Sequence, residues 1–131
     1  METSPSLTNT KVLDLLDEAY KKRINDLKTS IRLAEEALQI SKELEDMLCI
    51  GKSLSQLSLF HMIIGDFDLS INMAKEAIEI FEEAGDEKGI ADAKYTIAGA
   101  LYKTDNYNLG LTYLVGCLKT YRKLDDFHNQ A

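Results

Sequence analysis

The apolar positions of the chain recur with helical spacing. Ile71, Ala74, Ala77, Ile78 and Phe81 follow the i, i+3, i+4, i+7 rule, while Lys75, Glu76, Glu79, Glu82 and Glu83 fill the opposite, solvated face. The pattern breaks where turn formers cluster, at Asn25-Asp26, Gly65-Asp66 and Asp105-Asn106, and again at "EDM", "AGDEKG" and "LDDF". These breaks predict six helices, roughly 9–24, 27–44, 47–64, 67–84, 87–104 and 107–124. Gly85 is placed to end a helix in the left-handed conformation, and Asp86 to cap the next.

The pattern also repeats. Displaced by 40 residues, Ser30, Ile31, Ala34, Glu36, Ala37 and Ile40 return as Ser70, Ile71, Ala74, Glu76, Ala77 and Ile80. A third, more diverged copy keeps Leu27, Phe67 and Tyr107 in register, and likewise Leu38, Ile78 and Leu118. The expected organisation is three antiparallel helix pairs over 9–126, divided at about 9–46, 47–86 and 87–126. A loose arm precedes them at 1–8, and 127–131 reads as the first turn of a truncated fourth copy, hence as part of a longer protein.

Composition narrows the class. With 45% apolar residues, one proline and seven glycines, the chain has a core to bury and too few turn residues for an all-β fold. A net charge of −7 argues against nucleic-acid and anionic-membrane surfaces. No apolar run is expected to approach the ~18 residues of a membrane span. The start "METSPSLTNT" lacks the apolar segment of a secretory signal, so a cytoplasmic location is expected. Cys49 and Cys117 have no metal-site spacing and read as buried reduced thiols, with a disulfide or redox switch as the alternatives.

The segments "YTIAGALYKTDNYNLGLTYL" and "LSQLSLFHMIIGDFDLSINMAKEAI" resemble the tetratricopeptide repeat in its longer form of about 40 residues. Tyr95, Ile97, Ala98, Leu101 and Tyr102 match first-helix positions in one; Leu57, Ser58, Ala74 and Ala77 match the other. Gly110 and Ser70 stand where the family favours alanine, and Cys117 replaces another. The resemblance covers about residues 10–126. It implies an all-α, right-handed superhelix and a non-catalytic module for protein or peptide partners. The first copy also looks like the start of repeat arrays in bacterial signalling proteins, where such arrays precede nucleotide cyclases, diguanylate cyclases, histidine kinases or phosphatases.

In that family the first helix of each pair lines the concave surface. The positions carried over are Val12, Leu15, Ala19, Lys22 and Arg23; Lys52, Ser55, Leu59, Met62 and Ile63; and Asp92, Tyr95, Gly99, Tyr102 and Lys103. The central helix "MLCIGKSLSQLSLFHMII" carries one formal charge, Lys52, and is apolar nearly all round. Exposed Leu59, Met62 and Ile63 between Tyr95 and Tyr102 would form a partner surface, best suited to an amphipathic helix. The alternative is packing inside the superhelix or against a further copy. No groove position carries the Asn with which some members grip a peptide carboxylate. Self-association through the groove or the open end is a second reading, as a scaffold that positions effector domains.

No catalytic, cofactor or metal constellation is expected. "DFD" at 66–68 lacks the oxygen-ligand density of a calcium loop and reads as a helix corner. His61 has no nearby partner in sequence, and Glu35-Glu36, Glu82-Glu83 and Asp125-Asp126 read as solvated surface or turns.

Overall fold

A computed structural model describes residues 8–130. It contains α1 (Asn9–Lys21), α2 (Leu27–Glu43), α3 (Met47–Ile64), α4 (Phe67–Ala84), α5 (Glu87–Lys103) and α6 (Tyr107–Gln130). There is no strand among the described residues. The chain is therefore all-α, with helices at the positions that the apolar periodicity marks.

Local chemistry sets the boundaries. Thr8 caps α1 by accepting from the Lys11 N–H, and Asp46 caps α3 by accepting from Cys49. Asp86 caps α5, accepting from the Gly89 N–H at 3.0 Å. Asp26 accepts from both the backbone N–H and the hydroxyl of Thr29, and these bonds hold its carboxyl below the usual carboxylate range. Gly65 and Gly85 close α3 and α4 at φ 91° and 71°, in the left-handed region where a Cβ is penalised. Glu45 and Asp105 adopt the same conformation, at φ 54° and 65°. Asp66 makes no side-chain cap bond; its carboxylate lies 3.9 Å from His61 Nδ1. The "DFD" stretch is thus the corner between α3 and α4. No group of three metal-ligating side chains occurs among the described residues.

Two ends differ from the sequence expectation. α1 stops at Lys21 rather than near 24, because the Arg23 guanidinium donates to the Tyr20 carbonyl at 2.8 Å and satisfies one of the final carbonyls. α6 does not turn at Asp125-Asp126. From Cys117 to Gln130 no glycine or proline interrupts backbone hydrogen bonding, and the helix continues. Residues 127–130 therefore extend α6 instead of opening a fourth copy, while Ala131 and residues 1–7 lie outside the described residues.

Each helix packs on the next, and α3 also touches α1 and α5. Small side chains make these approaches close. Ser30 and Ser70 are fully buried, and each hydroxyl donates back to a carbonyl of the preceding helix: Ser30 to Ala19 at 2.6 Å, Ser70 to Ser58 at 2.7 Å. Gly110 holds the corresponding place in the third copy, where a Cβ would fall 3.3 Å from the Ala98 carbonyl. Ala34, Ala37, Ala74 and Ala77 are fully buried along the second helices.

α3 lies at the centre, contacting α1, α2, α4 and α5. Its 18 residues match a membrane span in length and composition, contrary to the sequence expectation, although Gly51, Lys52, Gln56, His61 and three serines interrupt its apolar residues. Two of these serines meet other helices: Ser53 lies 3.5 Å from the Ser41 hydroxyl, and Ser58 accepts from Ser70.

Phe81 sits between two glycines, where a Cβ at Gly51 would fall 3.1 Å from its ring and one at Gly89 2.8 Å. The ring is buried and has no room to retreat. Gly89→Ala is expected to lose about 1–3 kcal/mol by overpacking. Gly116→Ala, with nothing within 4 Å, should gain about 0.5–1 kcal/mol of helix propensity. Urea unfolding of both variants checks the pair; equal effects would contradict the packing described.

Candidate partner-binding surface

The faces of α1, α3 and α5 form two adjoining cavities that share Ser55, Gln56, Lys88 and Asp92. One, of about 450 Å³, reaches Leu13 and Asp17 of α1, Lys52 of α3 and the Phe81 ring. The other, of about 610 Å³, takes in Tyr20, Arg23, Leu59, Tyr95 and Tyr121. Together they make a groove across the three helices. Its floor includes Gln56 Oε1, a buried acceptor with no hydrogen-bond partner among the described residues.

The acids of this groove are already engaged. Asp17 pairs with Lys21 at 3.0 Å, and Asp86 caps α5. Asp92 pairs with Lys88 at 3.0 Å and also accepts from the Tyr121 hydroxyl. Two cations are different. Arg23 stacks over the Tyr20 ring at 3.7 Å, and neither Arg23 nor Lys52 has a carboxylate partner among the described residues. The available charge in the groove is positive on a chain of net charge −7.

Tyr121 closes one end. It stands 40 residues after Phe81 and reaches from α6 to Asp92 on α5. Burial, then the adjacent Asp92 carboxylate, push its phenol well above the ordinary tyrosine range. Lys123 of α6 pairs with Glu87 at 2.9 Å, at the start of α5.

A separate cavity of about 660 Å³ lies between α5 and α6, lined by Met62, Tyr95, Gly99, Tyr102, Lys103 and Leu111 among others. Tyr102 and Tyr107 meet edge to face at 5.0 Å, and the Tyr107 hydroxyl donates to Asp105 at 2.7 Å. Tyr107, in register with Leu27 and Phe67, is half exposed.

The residues singled out from sequence are therefore divided. Arg23, Lys52, Ser55, Leu59, Asp92 and Tyr95 line the groove. Met62, Gly99, Tyr102 and Lys103 line the α5–α6 cavity, with Tyr95 common to both. Val12, Leu15 and Ala19 belong to the core between α1 and α2 and are not groove residues, because the antiparallel α2 covers that side of α1. Lys22 and Ile63 line none of these three cavities. Gln56, Lys88 and Tyr121 were missed. Lys88 was open to detection from its i, i+4 spacing to Asp92, but Tyr121 reaches Asp92 across 29 residues and left no local signal.

Cys49 and Cys117 are buried and free. Burial, aided by Asp46, pushes the Cys49 thiol up to about 11, and burial raises Cys117 too. No family model matches the chain, and neither a curated protein nor a solved structure matches it.

The raised Tyr121 phenol sets the sign of a pH effect. Its folded-state value lies above the unfolded one of about 10, so its stabilisation is complete below pH ~10 and is lost as pH rises further. Tyr121→Phe is expected to lower stability by about 1 kcal/mol at neutral pH, and the gap to wild type should close in strong alkali. Thermal melts across alkaline pH check this; a pH-independent gap would contradict the Asp92 contact.

Proposed function

We propose that the chain is a tetratricopeptide-type right-handed superhelix of three helix pairs, and that it works as a non-catalytic module for a protein partner. The reading is supported by the internal repeat and by the contacts that α3 makes with α1 and α5, which bring the first helices of the three copies side by side. The occupant proposed for the groove is an acidic amphipathic helix. One apolar side chain would rest on Leu59 and Tyr95, and its acids would meet Arg23 and Lys52.

The pair of cations without carboxylate partners carries this reading. An acidic ligand would supply the counter-charge that the groove's own acids, engaged elsewhere, do not. Each such contact at a solvated rim is worth roughly 0.2–1 kcal/mol and weakens with salt. The apolar contacts would supply most of the affinity, and the cations its preference and encounter rate. In a longer signalling protein of the kind the first copy resembles, occupancy would be passed to an effector domain.

Selection from a displayed library of helical peptides tests the proposal. Binders are expected to be acidic and to carry an apolar anchor. Arg23→Ala combined with Lys52→Ala should weaken them roughly 2- to 30-fold by calorimetry. Ile63→Ala should bind as wild type. Enrichment of basic peptides, or undiminished binding by a double variant with an unchanged helical spectrum, would sink the reading.

A further inference from the structure

One register of the repeat carries a different side chain in each copy, and one of the three leaves a polar atom unpaired. Leu16, Gln56 and Thr96 stand 40 residues apart, at the same place on α1, α3 and α5. Leu16 and Thr96 are each 4% exposed. Leucine brings no polar group to satisfy, and the Thr96 hydroxyl donates to the Asp92 carbonyl of its own helix at 3.4 Å. Glutamine is longer than either. It lines both cavities of the groove, and its Oε1 is buried with no hydrogen-bond partner among the described residues. This setting is built in the middle of the helix array, on α3 between α1 and α5.

A buried acceptor without a partner favours whatever brings it a donor, since leaving it unpaired costs more than an average hydrogen bond gains. Its charged neighbours are engaged with one another. Lys88, which also lines both cavities, bonds Asp92 at 3.0 Å, and the Tyr121 hydroxyl donates to the other Asp92 oxygen. A charged ligand group fits poorly here. A carboxylate has no proton to give, and a cation would approach Lys88 where Asp92 is already paired. A neutral donor fits. A carboxamide is the closest match, because its N–H can donate to Oε1 while its oxygen accepts from Nε2, a reciprocal pair between like groups. Rotation about the end of the flexible glutamine side chain brings Oε1 from its closed position to the ligand.

We infer that Gln56 determines the groove's specificity by pairing with an asparagine or glutamine of the bound helix. This rests on the reading of the groove as a helix-binding surface. Leu59 lies one turn of α3 beyond Gln56, so the ligand's amide stands one turn from the apolar anchor, three or four residues away. The anchor and the acids define the class of ligand, and the amide distinguishes members within it. A site that hydrogen-bonds its ligand rejects an analogue lacking the bond, because the site's own polar group is then left unpaired.

Calorimetry with acidic helical peptides selected on the wild-type chain tests this. The peptides are expected to carry Asn or Gln one turn from the anchor, and leucine in its place should weaken binding about 2- to 12-fold. Gln56→Leu, a change to the residue that the first copy carries at this register, should reverse the preference in favour of the leucine peptide. With no unpaired acceptor to bury, Gln56→Leu should also melt no lower than wild type. Acidic peptides that bind wild type equally well with either residue, or an amide preference that survives Gln56→Leu, would overturn the role of Gln56 and leave the groove reading standing. A clearly lower melting temperature for Gln56→Leu would overturn it as well, by showing the amide satisfied in the free chain. Absence of any acidic binder would overturn both.

Discussion

The architecture depends on how closely successive helices approach. Ser30 and Ser70 illustrate the constraint. A hydroxyl in a fully buried position must find an acceptor, and each finds a backbone carbonyl on the helix before it. That bond is short only if the helix axes come near, and they come near only if the surrounding ridge is small. Ala34, Ala37, Ala74 and Ala77 provide that ridge. In the third copy Gly110 meets the same limit without a side chain. Two solutions at one register, serine in two copies and glycine in the third, point to a single requirement, the backbone separation.

The groove follows from that packing. Close pairing of each second helix on its first turns Val12, Leu15 and Ala19 into the core and leaves Tyr20 and Arg23 beside the groove. The central α3, contacted by four helices, still contributes Lys52, Ser55, Gln56 and Leu59 to its floor. Tyr121, in the register of Phe81, shows the same position put to different use. Phe81 fills the space left by Gly51 and Gly89, whereas Tyr121 extends to Asp92 and borders the groove.

The helices were legible because period 3.6, capping aspartates and left-handed glycines are local signals, and the 40-residue repeat made each one visible more than once. The end of α6 was less so. "LDDF" resembles the earlier breaks in composition, but the segment has no glycine to stop the helix. The site was partly legible. Register placed Arg23, Lys52, Ser55, Leu59 and Tyr95 on one surface. It could not show that Leu15 turns inward, that Met62 and Tyr102 belong to a different cavity, or which cations lack partners. Those are properties of tertiary contact, and Tyr121 with Asp92 is the clearest case.

The acidic amphipathic helix proposed for the α1, α3 and α5 face is the point most open to test. The most direct measurement is a nitrogen-15 NMR titration of the chain with such a peptide. Shifts concentrated at Arg23, Lys52, Ser55, Leu59 and Tyr95 are expected. Shifts confined to the acidic outer face of α4, around Glu76 and Glu79, or to α6 alone, would contradict the proposal.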